Sequence, residues 1–379
     1  MGSHDRLRTL DGFRALAILL VIGFHYFTRW APPESPVSLY PYGALGATWG
    51  VFRYGYLGVN LFFIISGFVI SMTLFRSRSP GDFARKRFAR LFPTMLLCSL
   101  ATFVVVSLLP QQATRVNWRD FLPSLTFTDP FLWSHLLGRD VHSMDGSYWS
   151  LYVEVKFYFW IGLLYFAAGS KRFFLSVAAA FAALVAAVQG MTLAHLPHVW
   201  AVEFIFALDY MPWFVAGVGF YALHEDHRDW RGWLLVAEAA LGEWAMLSRQ
   251  PVADLVVALA ALVLCYALFL LMLSRARWLS WLSLRPVAAV GMASYSLYLL
   301  HQTLGVAILA SLRGPLGPDA AWTAWIITPA LTLLMILASL LIYRYWEVPA
   351  KDVLLHSGVL GSWAFNLRKQ PQPENRPEL

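Results

Sequence analysis

An arginine and a histidine stand eleven positions apart in Asp11-Gly-Phe-Arg14-Ala-Leu-Ala-Ile-Leu-Leu-Val-Ile-Gly-Phe-His25. Eleven steps of about 100° return to nearly the same face of a helix, about 16 Å further along its axis. Ionisable groups cost about 2.5–3.5 kcal/mol or more at the centre of a bilayer-spanning helix, so two on one stripe should face a protein-lined cavity and not lipid. A guanidinium forms bidentate, charge-assisted bonds with phosphate. An imidazole ordinarily titrates near about 6.5 and can act as a general base at neutral pH, particularly when a carboxylate orients it. The two types together suit transfer of a group from a phosphate-bearing donor to a hydroxyl.

The elements that must position these residues follow from composition. The 379-residue chain is 59% hydrophobic and 13% charged, where a soluble domain carries about 25% charged residues. Apolar runs of about 20 residues fall near 8–29, 56–75, 87–109, 149–168, 172–191, 204–222, 232–248, 252–274, 286–310 and 322–345, the 232–248 run carrying Glu238 and Glu243. The expected fold is an all-α membrane protein, a bundle of about ten transmembrane helices with both termini cytoplasmic. Orientation rests on basic residues. With the N-terminus inside, the inner segments hold the dense set Arg76, Arg78, Arg85, Lys86, Arg87 and Arg90, while the outer ones hold only scattered arginines such as Arg53 and Arg139. The net charge of +7 is accounted for by these topology signals, so no nucleic-acid partner is expected. Cys98 and Cys265 fall inside helices and read as packing residues. Residues 1–365 are expected to form one membrane domain, its first span a retained helix and not a cleaved leader. Residues 366–379 should form a polar, disordered tail.

A rise of about 1.5 Å per residue converts the sequence into depth. His25 lies in the outer third of the first span, and Glu154 and His301 reach a similar level on the fourth and ninth. Asn60 on the second span and Asp209 on the sixth come close to the same plane. On the cytoplasmic side, Arg14, Arg87, Arg90, Arg344 and Glu347 gather, and the run from Asp82 to Pro93 alternates basic and aromatic residues as an interfacial helix would.

The ordered set of motifs carries a resemblance. Arg14-x10-His25, Gly55-Tyr-Leu-Gly-Val-Asn-Leu-Phe-Phe-Ile-Ile-Ser-Gly-Phe68, Phe83-Ala-Arg-Lys-Arg-Phe-Ala-Arg-Leu-Phe-Pro93, Trp149-Ser-Leu-Tyr-Val-Glu154-Val-Lys-Phe-Tyr158, Ser294-Tyr-Ser-Leu-Tyr-Leu-Leu-His301 and Tyr345-Trp-Glu347-Val-Pro349 resemble the acyltransferase-3 family of bacterial membrane acyltransferases. The resemblance implies an inner-membrane O-acyltransferase. It would take an acyl group, usually acetyl, from cytoplasmic acyl-CoA (acetyl-CoA) to a sugar hydroxyl of a cell-envelope or secreted glycan, which can be lipid-linked. It implies that His25 is catalytic, and that Arg14, Arg87 and Arg90 bind the donor. Many members have an acidic residue where this chain has Asn60, and an amide cannot act as a base. A second carboxylate role would therefore fall to Glu154 or Asp209. Some members also carry a fused extracytoplasmic domain, which is not expected within these 379 residues.

These expectations name Glu154 as a second catalytic residue and Asn60, Asp209 and His301 as acceptor-binding, with no metal. His195 with His198, and His224 with His227, have loose ligand spacing and read as solvated loops. Gly55, Gly58 and Gly67 suit close helix approach. Trp118, Trp133 and Tyr148 of the outer 110–148 loop are candidates for stacking on sugar rings. The competing class is a transporter or flippase of an anionic or lipid-linked glycan. It leaves the Arg14-x10-His25 pair without a task and predicts no thioester turnover.

Overall fold

The structure, a computed structural model, describes residues 3–30, 39, 49–109, 116–247, 252–316 and 321–356. The polar tail expected at 366–379 lies outside the described residues. Among those described, the regular elements are all helical, because a backbone in lipid must satisfy its own hydrogen bonds. The chain runs through α1 (Ser3–Phe24), α2 (Gly58–Phe75), α3 (Pro80–Leu108), α4 (Trp149–Ala168), α5 (Phe173–Leu193), α6 (Met211–Glu225), α7 (Trp230–Leu247), α8 (Val252–Ser274), α9 (Ser294–Leu300), α10 (Thr303–Leu316) and α11 (Ala321–Ile342), with shorter helices between them.

Among the described residues eight helices are long and apolar enough to cross a membrane, and α9 with α10 supply a ninth if the bent pair is taken as one span. The remaining expected run is α7, which is helical as expected. It falls outside the apolar set and turns Glu243 inward, 4% exposed. The chain is thus a multi-pass membrane protein in architecture.

The centre is the crossing of α2 and α6. Gly67 and Gly217 meet there so closely that a Cβ on either would collide with the other helix's backbone, the small-residue contact that lets membrane helices approach. It fixes α2, one face of which carries the site.

Three local departures from α-helix matter for position. At the end of α1 the turn His25–Arg29 is π-helical, with Trp30 N donating to His25 O at 3.1 Å. A second π-turn, Tyr343–Glu347, follows α11, and Trp346 Nε1 donates to Pro93 O at 2.9 Å, docking that turn on α3. Such bulges inside helices frequently mark functional sites. The third departure is the 53° bend between α9 and α10 at His301 and Gln302. A break leaves helix-terminal N–H groups without intrahelical partners. Buried Asp145 supplies one partner from a distant segment, accepting from Thr303 N at 2.6 Å while its other oxygen accepts from Ser147 N at 2.8 Å and Ser147 Oγ at 2.7 Å.

The described part of the 110–148 segment is folded. Asn117 and Asp120 form a capping box, and short helices Phe121–Thr126 and Pro130–Leu137 follow. Tyr148 departs from its expected role: it is fully buried, with its hydroxyl donating to Leu299 O at 3.3 Å, and offers no face to a sugar. Trp118 is exposed, and Trp133 Nε1 donates to Thr128 Oγ1 at 2.8 Å. Cys98 and Cys265 are buried free thiols, as packing residues should be.

Candidate active site

A cavity of about 120 Å³ runs along α2 from Ile70 to Val59, about 16 Å of helix. Arg14, Arg87 and Arg90 line it near its Ile70 end, and Phe62, Ser150 and Tyr298 near its Val59 end. These residues come from α1, α2, α3, α4 and α9, so the packing of the bundle brings the expected arginines together.

The three arginines differ in charge balance. Arg14 Nη1 lies 2.7 Å from Asp11 Oδ1, both side chains partly exposed. Arg90 is ion-paired with Glu347, which is 2% exposed, and its guanidinium lies 5.6 Å from the Tyr295 ring. No hydroxyl or amide among the described residues donates to the Glu347 carboxylate, so Arg90 is its counter-charge. Arg87 has a different setting: Nη2 donates to Thr73 Oγ1 at 3.0 Å, the guanidinium lies 5.8 Å from the Tyr158 ring, and buried Nε has no partner among the described residues. A half-buried guanidinium that has an unmet donor, no ion pair among the described residues, and lies close enough to Arg90 for the two charges to act on each other is the strongest anion site of the three.

Glu154 stands in the middle of the cavity wall, one turn from Tyr158 on α4. Its Oε1 accepts from Ser66 Oγ and, at 2.6 Å, from Tyr158 OH. The carboxylate is therefore held by α2 and by its own helix, and His25 is not among its partners in the described residues.

His25 lies beyond the Val59 end, outside the cavity lining. Its Nδ1 is 2.9 Å from Val21 O and 3.1 Å from Nε2 of His301. His301 sits at the α9–α10 bend, is fully buried, and has Nδ1 at 2.8 Å from Tyr298 O. The Tyr298 ring connects the two regions: it lines the cavity and lies 5.3 Å from the His301 ring. Tyr26, next to His25, donates to His301 O at 2.6 Å, and Gly305 makes room for that hydroxyl, since a Cβ there would collide with it.

The remaining expected site residues are more dispersed. Asn60 is half-buried near the start of α2, and Asp209 is exposed in the Ala207–Tyr210 turn; neither lines the cavity. His195, His198 and His227 are exposed. Sequence reasoning assigned no role to Ser66, Tyr158 or Asp145. A signal existed for Tyr158, four residues after Glu154 and so on the same helix face. None existed for the contact of Ser66 with Glu154 or of Asp145 with Thr303, partners 88 and 158 residues apart.

The acyltransferase-3 family model, described as an acyltransferase domain, matches residues 7–344. The chain is 27% identical over 161 residues to a protein named O-acetyl transferase from Shigella phage Sf6, covering 40% of this chain and 44% of that one. It is 27% identical over 166 residues to the putative peptidoglycan O-acetyltransferase YrhL of Bacillus subtilis, covering 41% of this chain and 23% of that protein. Peptidoglycan O-acetyltransferase OatA of Listeria monocytogenes is 25% identical over 168 residues, covering 41% of this chain and 24% of its own. The chain therefore spans less than half the length of these relatives. No solved structure matches it. A match across nearly the whole chain, on an all-helical bundle that gathers the motif arginines around one cavity, identifies this protein as a member of the acyltransferase-3 family of membrane acyltransferases.

Proposed function

We propose that this protein moves an acyl group, acetyl as the default, from cytoplasmic acyl-CoA to a hydroxyl of a cell-envelope or secreted glycan on the opposite side of the inner membrane. The observation that carries the reading is the cavity joining an arginine-lined end to a wall that touches the His25–His301 pair.

In this reading the donor enters at the basic end, with Arg87 and Arg14 on its phosphates and Arg90 supporting the wall through Glu347. The thioester arm lies along α2. Glu154 Oε2, which takes no hydrogen bond among the described residues, accepts from an amide of that arm. Tyr298 shifts to let the thioester reach His25. His25 takes the proton of the acceptor hydroxyl as its oxygen attacks the thioester carbonyl, forming the new C–O bond. The C–S bond then breaks, and the proton returns from the imidazolium to the thiolate, giving ester and free thiol. Asn60 and Asp209 belong to the acceptor side.

The test is thiol release from acetyl-CoA by purified protein in detergent, with an envelope-glycan extract as acceptor, for wild type and His25→Ala. Release that needs both acceptor and His25 supports the reading. Absence of release by a protein that still binds acyl-CoA, across a range of acceptors, overturns it and favours transport of a glycan.

A further inference from the structure

His301 has no polar ring atom left for a substrate. It is fully buried, its Nδ1 faces a backbone carbonyl, and its Nε2 faces another imidazole. What it does follows from which atoms carry protons.

A carbonyl oxygen only accepts, so Nδ1 of His301, at 2.8 Å from Tyr298 O, must carry hydrogen. The same argument applies to Nδ1 of His25, at 2.9 Å from Val21 O. The hydrogen between the two rings is therefore the one on His25 Nδ1, and Nε2 of His301 must be bare. A doubly protonated His301 would set two N–H groups against each other across 3.1 Å. Two acceptors, one from its own helix and one from the α9–α10 bend, thus share the single Nδ1–H of His25. In neutral His25, Nε2 then keeps its lone pair.

We infer that His301 is a positioning residue for the transfer proposed above: with the Val21 carbonyl it cradles His25 Nδ1–H, so that Nε2 of His25 is the atom that receives the acceptor proton. The inference rests on that functional reading. When Nε2 takes the proton, Nδ1–H becomes a donor on a cation, and charge-assisted hydrogen bonds are roughly twice as strong as neutral ones. His301 therefore stabilises the imidazolium more than the resting imidazole, which is the condition for accelerating the step. The surroundings hold it in place for this: Tyr26 grips the His301 carbonyl, and Asp145 holds Thr303 two residues further on.

The experiment compares His301→Ala and His301→Gln with wild type, measuring kcat and the KM values for acetyl-CoA and for the glycan extract. Glutamine can place a side-chain oxygen, an acceptor, where Nε2 stands. The alanine variant is expected to lose at least about tenfold in kcat with both KM values held, and the glutamine variant to recover most of that loss. An unchanged kcat, or a raised acceptor KM with kcat kept, overturns the inference. So does a glutamine variant that binds acetyl-CoA normally but is no faster than alanine, or than His25→Ala if alanine fails to fold. An active His25→Ala would instead refute the functional reading, whereas an inactive His25→Ala beside a fully active His301→Ala refutes only the role of His301.

Discussion

Charge balance separates three arginines that sequence treats alike. Arg87 offers an unmet donor and has no ion pair among the described residues, so Arg87→Ala should raise the KM for acyl-CoA about 10- to 100-fold, the worth of one hydrogen bond to a charged group, with little change in melting temperature. Arg90→Ala should act on stability, because it strands the Glu347 carboxylate in the interior. Breaking a buried pair costs about 3–5 kcal/mol, read as a lowered melting temperature in detergent. Replacing Arg90 and Glu347 together with methionine should restore much of the loss. Residues costly to bury were legible from sequence: Arg14, His25, Glu154 and His301 stand out in apolar helices. Ser66 did not, because a serine hydroxyl in a membrane helix can bond its own backbone at little cost and its partner is set only by packing, while Tyr158 was marked by nothing beyond its spacing of four from Glu154.

At the scale of elements, the helical runs were readable because about 20 apolar residues are the length a bilayer demands. Their interruptions were not. The α9–α10 bend falls at the polar pair His301–Gln302 inside one expected run, and the acceptor that meets it, Asp145, is remote in sequence. Asp145→Ala removes an acceptor from three donors. It should lower the melting temperature and, by releasing the bend, lower kcat while leaving the KM for acyl-CoA near wild type. Parallel kinetics and thermal unfolding would check both. The placing of Glu154 relative to His25 shows the same limit. Depth estimates put both near one level, but depth says nothing of azimuth, and α4 turns Glu154 toward α2.

For the whole molecule, the proposed transfer requires the basic end to face the cytoplasm. Single cysteines at Arg78 and Arg139, both exposed, should then react with a membrane-impermeant maleimide from opposite sides, Arg78→Cys from the cytoplasm and Arg139→Cys from outside. The native thiols Cys98 and Cys265 are buried and should stay silent. Labelling of both positions from one side would contradict the proposed orientation.

The π-turn after α1 has a consequence of another kind. A π-turn holds one residue more than an α-turn of the same span. Removing a residue between Tyr26 and Arg29 would leave a more regular helix. It would also re-space the side chains inside the turn, moving the Tyr26 hydroxyl from its place on the His301 carbonyl while Trp30 N still met the His25 carbonyl. The site is thus written in chain length as well as in residue identity. Loss of a single codon in this segment should harm it more than most substitutions there.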